Sequence, residues 1–384
     1  MIYLDSNATT LTDERVLKKM MPYFKDTYGN PSSVYRFAQE AKQAVEEARI
    51  NIAELLNAQA NEIIFTAGGT ESDNTAMKGV AFEKKAQGRH IITSKIEHHA
   101  VLHTCGFLEG QGFEITYLGV NKYGMINLKE LEENIRKDTI LVSIMHTNNE
   151  VGTIQPIKEI ADICRKRKVY FHSDAVQAVG RVNVDVKALG MDLLSLSGHK
   201  FYGPKGVGAL YVRKGVKFVP LLHGGGHERG RRSGTENVAG IVGLGEAARL
   251  AKFEIKDEEK RIKLLRDKLE QGILNSISEV EVNGDPKSRI FNTLNVCLKY
   301  IEGESILINL DFEGICASSG SACTSGSLEP SHVLLAMGIP HEIAHSSLRM
   351  SLGKYTTEGE IDKVLAVLPP IVEKLRKISP FWQK

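Results

Sequence analysis

The sequence predicts an α/β protein: a large domain with a mostly parallel sheet covered by helices, followed by a smaller α+β C-terminal domain. Two observations carry this. Between residues 60 and 215 short β-rich runs alternate with helix-length amphipathic segments, the pattern of strands joined by helical crossovers. After about residue 250 the alternation stops, and charged helical stretches frame isolated strand candidates. The chain has 384 residues, 42% of them hydrophobic, enough for a large core and two or three domains, which excludes a disordered segment or a small scaffold.

The opening stretch MIYLDSNATT places Asp5 where the apolar region of an export signal would run, and no run of 18 apolar residues occurs, so a cytoplasmic chain outside the membrane is expected. Ala41, Ala44, Val45, Ala48, Ile52, Leu55 and Leu56 then recur at helical spacing. Seven strands follow, over residues 62–66, 90–93, 114–118, 140–145, 169–172, 193–196 and 208–212. A helical stripe of Ile157, Ile160, Ala161 and Cys164 precedes the fifth. Ile262, Leu265, Leu269 and Ile273 share one face of a charged helix, and strand candidates lie at 293–298 and 347–351. Thr357 and Glu360 make a capping-box pattern ahead of a last helix carrying Ile361, Val364, Leu365 and Leu368. The expected division is an N-terminal segment (1–15) associated with the small domain, a large domain (16–250) and a small C-terminal domain (251–384).

Several classes drop out. Forty-nine basic against forty-seven acidic residues leave +2, too little for a broad field directed at nucleic acid or an anionic membrane. Five cysteines (105, 164, 297, 316, 323), an odd number without a C-x-x-C pair, suit a reducing compartment. No phosphate-loop or G-x-G-x-x-G fingerprint occurs, and the HGGG at 223–226 has no G-x-S-x-G to supply an esterase nucleophile. His99 and His103 lie four apart without the intervening Glu of a zinc protease, so no resident metal is expected.

The chemistry concentrates elsewhere. Ser197-Gly198-His199-Lys200 stands just past the strand 193–196, and Asp174, 26 residues earlier, just past the strand 169–172. In open α/β sheets ligands sit beyond the carboxyl ends of strands. A lysine there can form a Schiff base with an aldehyde cofactor, and an aspartate can keep a pyridine nitrogen protonated; pyridoxal phosphate needs both. Alone, Lys200 would read as a surface lysine and Asp174 as a helix cap. Gly68-Gly69-Thr70 follows the strand 62–66 and opens a helix, offering free N–H groups to a phosphate dianion. Thr70 with Asp73 also matches a capping box, which leaves the two glycines unexplained.

The segments YLDSNATT (3–10), YGNPSS (28–33), FTAGGTESDN (65–74), EHHAV (97–101), NNEVGTIQPI (148–157), HSDAVQAVG (172–180), SLSGHKFYGPKGVG (195–208), HGGGHERGRRSGTEN (223–237) and SSGSACTSGSLEPSHVL (318–334) resemble the cysteine desulfurases of the NifS and IscS type, class V pyridoxal-phosphate enzymes of aminotransferase fold type I. The resemblance spans nearly the whole chain. It implies that Lys200 holds pyridoxal 5'-phosphate, Asp174 pairs with the ring nitrogen, and His98 stacks on the ring and moves protons. It places Asn149 and Gln177 at the phenolic oxygen, and Gly69, Thr70, Ser197 and His199 around the phosphate, joined by Thr235 from the other subunit of a homodimer. Arg349 would clamp the carboxylate of L-cysteine, a task that suits its planar fork. Asn149 is also implied as a substrate contact.

Cys323 lies among small residues in SSGSACTSGS, and a free thiol is only a few per cent thiolate at pH 7, so a nucleophilic role needs help from its surroundings. The resemblance implies that this thiol takes sulfur from L-cysteine as a persulfide, releases L-alanine, and delivers sulfur to an acceptor such as an iron-sulfur scaffold protein. Contact with a cluster metal would come only through that delivery. Another class V lyase or aminotransferase would use Lys200 and Asp174 without Cys323, and a silent scaffold would need none of them. Ser6, and Tyr35 after GNPSS, depart from the family pattern near the site entrance or dimer contact.

Overall fold

A computed structural model describes residues 1–319 and 329–382; Cys323 lies outside the described residues. The chain opens on a two-residue strand, β1 (Ile2–Tyr3), that stands apart from the main sheet. The seven expected strands all form: β2 (Ile63–Thr66), β3 (His90–Ser94), β4 (Glu114–Leu118), β5 (Thr139–Ser143), β6 (Tyr170–Asp174), β7 (Leu193–Ser197) and β8 (Gly208–Val212). They make one sheet in the order β2-β8-β7-β6-β5-β3-β4, in which β8 alone runs against its neighbours. From β3 the chain steps outward to β4, then returns past β3 and continues through β5, β6 and β7. The order therefore reverses between β3 and β5, and the crevice beyond the carboxyl ends opens at that switch point.

Two boundaries differ from expectation for a visible reason. The residue Asp174 closes β6 instead of following it, because its backbone pairs with Ser195 of β7 and its carbonyl accepts the N–H of His146. Strand β5 ends at Ser143, and the N–H of Met145 goes to the side-chain carboxyl of Glu97.

Alternate strand residues face two apolar layers, as expected for a sheet covered on both sides. Phe65, Val142, Phe171, Leu194 and Tyr211 share one apolar layer with the helices Arg36–Leu56 and Ile157–Arg167 on one face, and Ile64, Ile91, Leu141, Leu193 and Leu210 share another with the helices Gly69–Lys84 and His99–Glu109 on the other. The helix Val238–Ser276 lies along Arg36–Leu56 and runs on, without interruption, into a second core. There Ile262, Leu269 and Ile273 join Ile2, Leu4, Leu294, Leu348, Ile361 and Leu368.

That core is built on β9 (Val280–Asn283), β10 (Thr293–Leu298), the short β11 (Ile315–Cys316), which pairs in parallel with β1, and β12 (Ser347–Ser351), which is antiparallel to β10. The capping box of the last helix, Glu358–Ile378, forms as read from Thr357 and Glu360. Beyond it Trp382 packs on Tyr300 under Arg376, while Phe381 is exposed. Among the described residues no helix is long and apolar enough to cross a membrane.

The long helix approaches its neighbour so closely that a Cβ on Gly245 would lie 2.4 Å from the Ala48 Cα. Gly245→Val should therefore lower stability by about 1–3 kcal/mol in denaturant unfolding, the usual range for overpacking. Gly359→Ala, where a Cβ meets nothing, should be neutral or stabilise by up to about 1 kcal/mol. Equal losses from the two substitutions would contradict this packing.

Candidate active site

Loops leaving the carboxyl ends of β2, β3, β5, β6 and β7 converge on one crevice and carry most of the predicted residues; Arg349 and Thr235 lie elsewhere in the chain. Lys200 ends a short 3-10 turn, Gly198–Lys200, after β7, where its Nζ donates to the carbonyls of Asn7 (2.7 Å) and Ala8 (2.8 Å). On adjacent β6 the buried Asp174 accepts the N–H of Val176 at 2.9 Å. Burial pushes its carboxyl up to about 6, opposed by that N–H and by Lys200. At neutral pH it is ionised.

The helix after β2 begins at Gly69, with Gly68 as its cap at φ +155° and no side chain bonding its first N–H groups. Thr70 thus does not cap this helix; it lies one residue inside, and Asp73 turns into the interior. A Cβ on Gly69 would lie 2.7 Å from Val176 Cγ2, so glycine is what lets the uncapped helix end sit against the segment that follows Asp174. Gly68, Gly69, Thr70, Ser197 and His199 line one cavity of about 800 Å³. His199 Nδ1 pairs with Thr9 Oγ1 at 3.1 Å, and burial with Lys200 nearby lowers its pKa to about 4. Thr235 is exposed and is not among the residues lining this cavity.

His98 caps the helix His99–Glu109, its Nδ1 accepting the N–H of Ala100 at 3.1 Å. Burial, and then Lys200, lower its pKa to about 4, so the ring is neutral and its proton resides on Nε2. Capping and a site role are compatible here because they use opposite edges of the ring. Both ends of the Gln177 amide are engaged, Nε2 on the Asn7 carbonyl and Oε1 by Arg181. Asn149 offers its carbonyl to Asn7 Nδ2 and to Arg349 Nη1. Arg349, on β12, is the member supplied by the second core.

His99 stacks on His103 with ring centroids 5.0 Å apart, and His332 adds a third ring 4.9 Å from His99. Among the described residues no cluster of three or more His, Cys, Asp or Glu is arranged to hold a metal.

Sequence reasoning missed Asn7, Arg181, Asp73 and Glu97. Buried Arg181 donates to Asn7 Oδ1, Gln177 Oε1 and the carbonyls of Ser6 and Lys200, all neutral acceptors. Asp73 Oδ1 is buried without a hydrogen bond, 3.6 Å from His172 Nε2, and burial together with Asp174 raises its pKa well above the usual carboxylate range. Burial pushes Glu97 up to about 8. Asn7, Asp73 and Glu97 lie in the segments already singled out at 3–10, 65–74 and 97–101, and Arg181 follows the segment 172–180, but nothing in those letters says that the four side chains are buried. Burial likewise raises the thiols of Cys164 and Cys297, to about 12 and about 11, and raises Cys105, which leaves all three poor nucleophiles.

An α/β sheet of this order, with a lysine and an aspartate at the ends of neighbouring strands and an uncapped helix beside them, defines a pyridoxal-phosphate enzyme of fold type I. The profile of class-V aminotransferases matches residues 2–364. A cysteine desulfurase IscS of Methanosarcina thermophila is 58% identical over 383 residues, covering 100% of this chain and 95% of that protein. Among solved structures, a NifS-like protein superposes with a TM-score of 0.92 at 41% identity, covering 97% of this chain and all of that one. SspA, solved in complex with cysteine, superposes at 0.83 with 40% identity over 93% of this chain and all of that one. The chain belongs to the class-V aminotransferase family, within its NifS/IscS-type cysteine desulfurases, enzymes that depend on pyridoxal phosphate. The residues fit that group: a buried ionised carboxylate, a lysine beside it, and a helix start whose N–H groups no side chain takes.

The Glu97 carboxyl keeps its proton in the fold up to about pH 8, whereas in the unfolded chain it ionises near its ordinary value of 4.5. Between those values rising pH favours unfolding by about 1.4 kcal/mol per pH unit. Glu97→Gln lacks this cost. In thermal unfolding of cofactor-free protein, the variant's stability relative to wild type should therefore grow as pH rises from 4.5 to 8. Curves that stay parallel would contradict the assignment.

Proposed function

We propose that the protein removes sulfur from L-cysteine, giving L-alanine and a persulfide on Cys323, with pyridoxal 5'-phosphate as cofactor. The observation that carries this is the pairing of Lys200 and Asp174 at the ends of β7 and β6, both largely withdrawn from water, beside the uncapped start of the helix Gly69–Lys84.

Lys200 would hold the cofactor covalently, its Nζ leaving the carbonyls of Asn7 and Ala8. Asp174 would face the ring nitrogen. Gly69, Thr70, Ser197 and His199 would take the phosphate, with Thr235 of a second copy completing the cup in a homodimer, which accounts for its exposure in one chain. Asn149 and Gln177 would stand at the phenolic oxygen. When bound, the cofactor supplies an electron sink that stabilises negative charge at the substrate's α-carbon. Arg349, with Asn149 beside it, would bind the substrate carboxylate. His98, neutral and protonated on Nε2, would stack on the ring and hand protons to and from the substrate together with Lys200.

Cys323 would attack the substrate sulfur as a thiolate. The new S–S bond forms as the substrate's carbon–sulfur bond breaks, and protonation of that carbon completes alanine. The persulfide then passes to a sulfur acceptor such as an iron-sulfur scaffold protein. Three of the other cysteines are buried with raised pKa values and make poor nucleophiles. We also assign the sites to a large domain (16–250) and a small one (251–384) that the N-terminal segment (1–15) joins, in a cytoplasmic enzyme.

The test is alanine and sulfide production from L-cysteine with excess reductant. Wild type should make both in equal amounts. Lys200→Ala should fall to background and lose the borohydride-reducible link to the cofactor. Cys323→Ser should keep that link and its visible absorption but form no persulfide. Full activity of Cys323→Ser would replace desulfuration through a persulfide with lyase or aminotransferase chemistry.

A further inference from the structure

Arg349 is held on every side but one. Its backbone bridges Ser318 in both directions, Nη1 donates to the Asn149 carbonyl at 3.0 Å, and Nη2 donates to Asp5 Oδ1 at 2.8 Å. The side chain is only 3% exposed, yet its Nε is buried without any hydrogen-bond partner. A buried N–H left unpaired is costly, so such a group is a donor awaiting an acceptor.

The carboxylate opposite it is equally fixed. Asp5 bridges Ser351, two residues along β12 from Arg349: the N–H of Ser6 donates to the Ser351 carbonyl at 3.0 Å, and that of Ser351 to the Leu4 carbonyl at 2.7 Å. Tyr3 Oη donates to the Asp5 carbonyl. Two residues on one edge of one strand thus hold carboxylate and guanidinium in register. A guanidinium has N–H groups on more than one edge, and a partner that occupies one edge decides which others remain for a ligand.

We propose that Asp5 is the positioning residue of the substrate-carboxylate site: it anchors the Nη2 end of Arg349 so that the orphaned Nε–H is presented to the α-carboxylate of the amino-acid substrate. This rests on Arg349 being the carboxylate-binding arginine. A carboxylate at this place could act in the opposite sense, as a competitor that the substrate displaces, and the two senses differ in sign.

The experiment measures binding of L-alanine and of L-alaninamide, which lacks the carboxylate, to the holoenzyme through the change in cofactor absorption. Wild type should prefer alanine strongly. Asp5→Asn should weaken alanine roughly tenfold while leaving alaninamide within twofold, in line with the loss of a charge-assisted contact that orients a donor. Asp5→Ser, checked for an unchanged cofactor spectrum, guards against an effect confined to one variant. Unchanged or tighter alanine binding in both variants would overturn the proposal. Arg349→Gln tests the premise separately: if it keeps the preference for alanine over alaninamide, the arginine itself is misassigned, whatever the Asp5 variants do.

Discussion

Asp174 and Lys200 carry opposite charges at the ends of neighbouring strands, in a place where little water reaches them, and much of the molecule is arranged around that constraint. Withdrawing a carboxylate from water is costly unless polar groups replace the lost hydration. Val176 supplies an N–H to Asp174, and the N-terminal segment supplies two carbonyls to Lys200. The segment can do so because Asn7 ties it to both cores. Its side chain donates to Asn149 and Thr293 and accepts from Arg181 and Asn292, while its backbone meets Ser351, Gln177 and Lys200. One buried asparagine thereby links the lysine end of the site to the strand that carries Arg349.

The surroundings of Asp174 sharpen its charge. Asp73, Glu97 and Glu150 are buried carboxyls whose pKa values burial raises, to about 8 for Glu97 and about 7 for Glu150, and His146 and His172 are held neutral by the same cause. Near pH 7 Asp174 is therefore ionised beside a protonated Glu97, and Asp73 adjoins it with a pKa that burial and Asp174 raise. A low-dielectric setting of this kind strengthens the pull on a positive ring nitrogen. Any ligand that places a cation there recovers part of the desolvation cost and stabilises the fold on binding.

The fold was legible because strand and helix periodicities are local. Residues 114–118, 208–212, 293–298 and 347–351 read as strands from alternation and β-branching, and the structure keeps those limits. Thr70 and Asp73 match a capping box by spacing, yet the helix begins at Gly69 with Gly68 as its cap, two positions ahead of where that box needs it, a backbone fact that letters do not carry. Asn7 and Arg181 gave no sign of their role because they bond to each other across 174 positions, a pairing that no local pattern carries. Lys200 and Asp174 were legible because a strand's carboxyl end is a local feature with a general meaning in α/β sheets.

The central claim is that Asp174 holds the bound cofactor's ring nitrogen protonated from a buried position. The most direct measurement is the ¹⁵N chemical shift of holoenzyme loaded with cofactor labelled at that nitrogen, for wild type and Asp174→Asn. The account predicts a protonated nitrogen in wild type and an unprotonated one in the variant across neutral pH. The same shift in both proteins would show that Asp174 does not govern the ring and would contradict the account at its root.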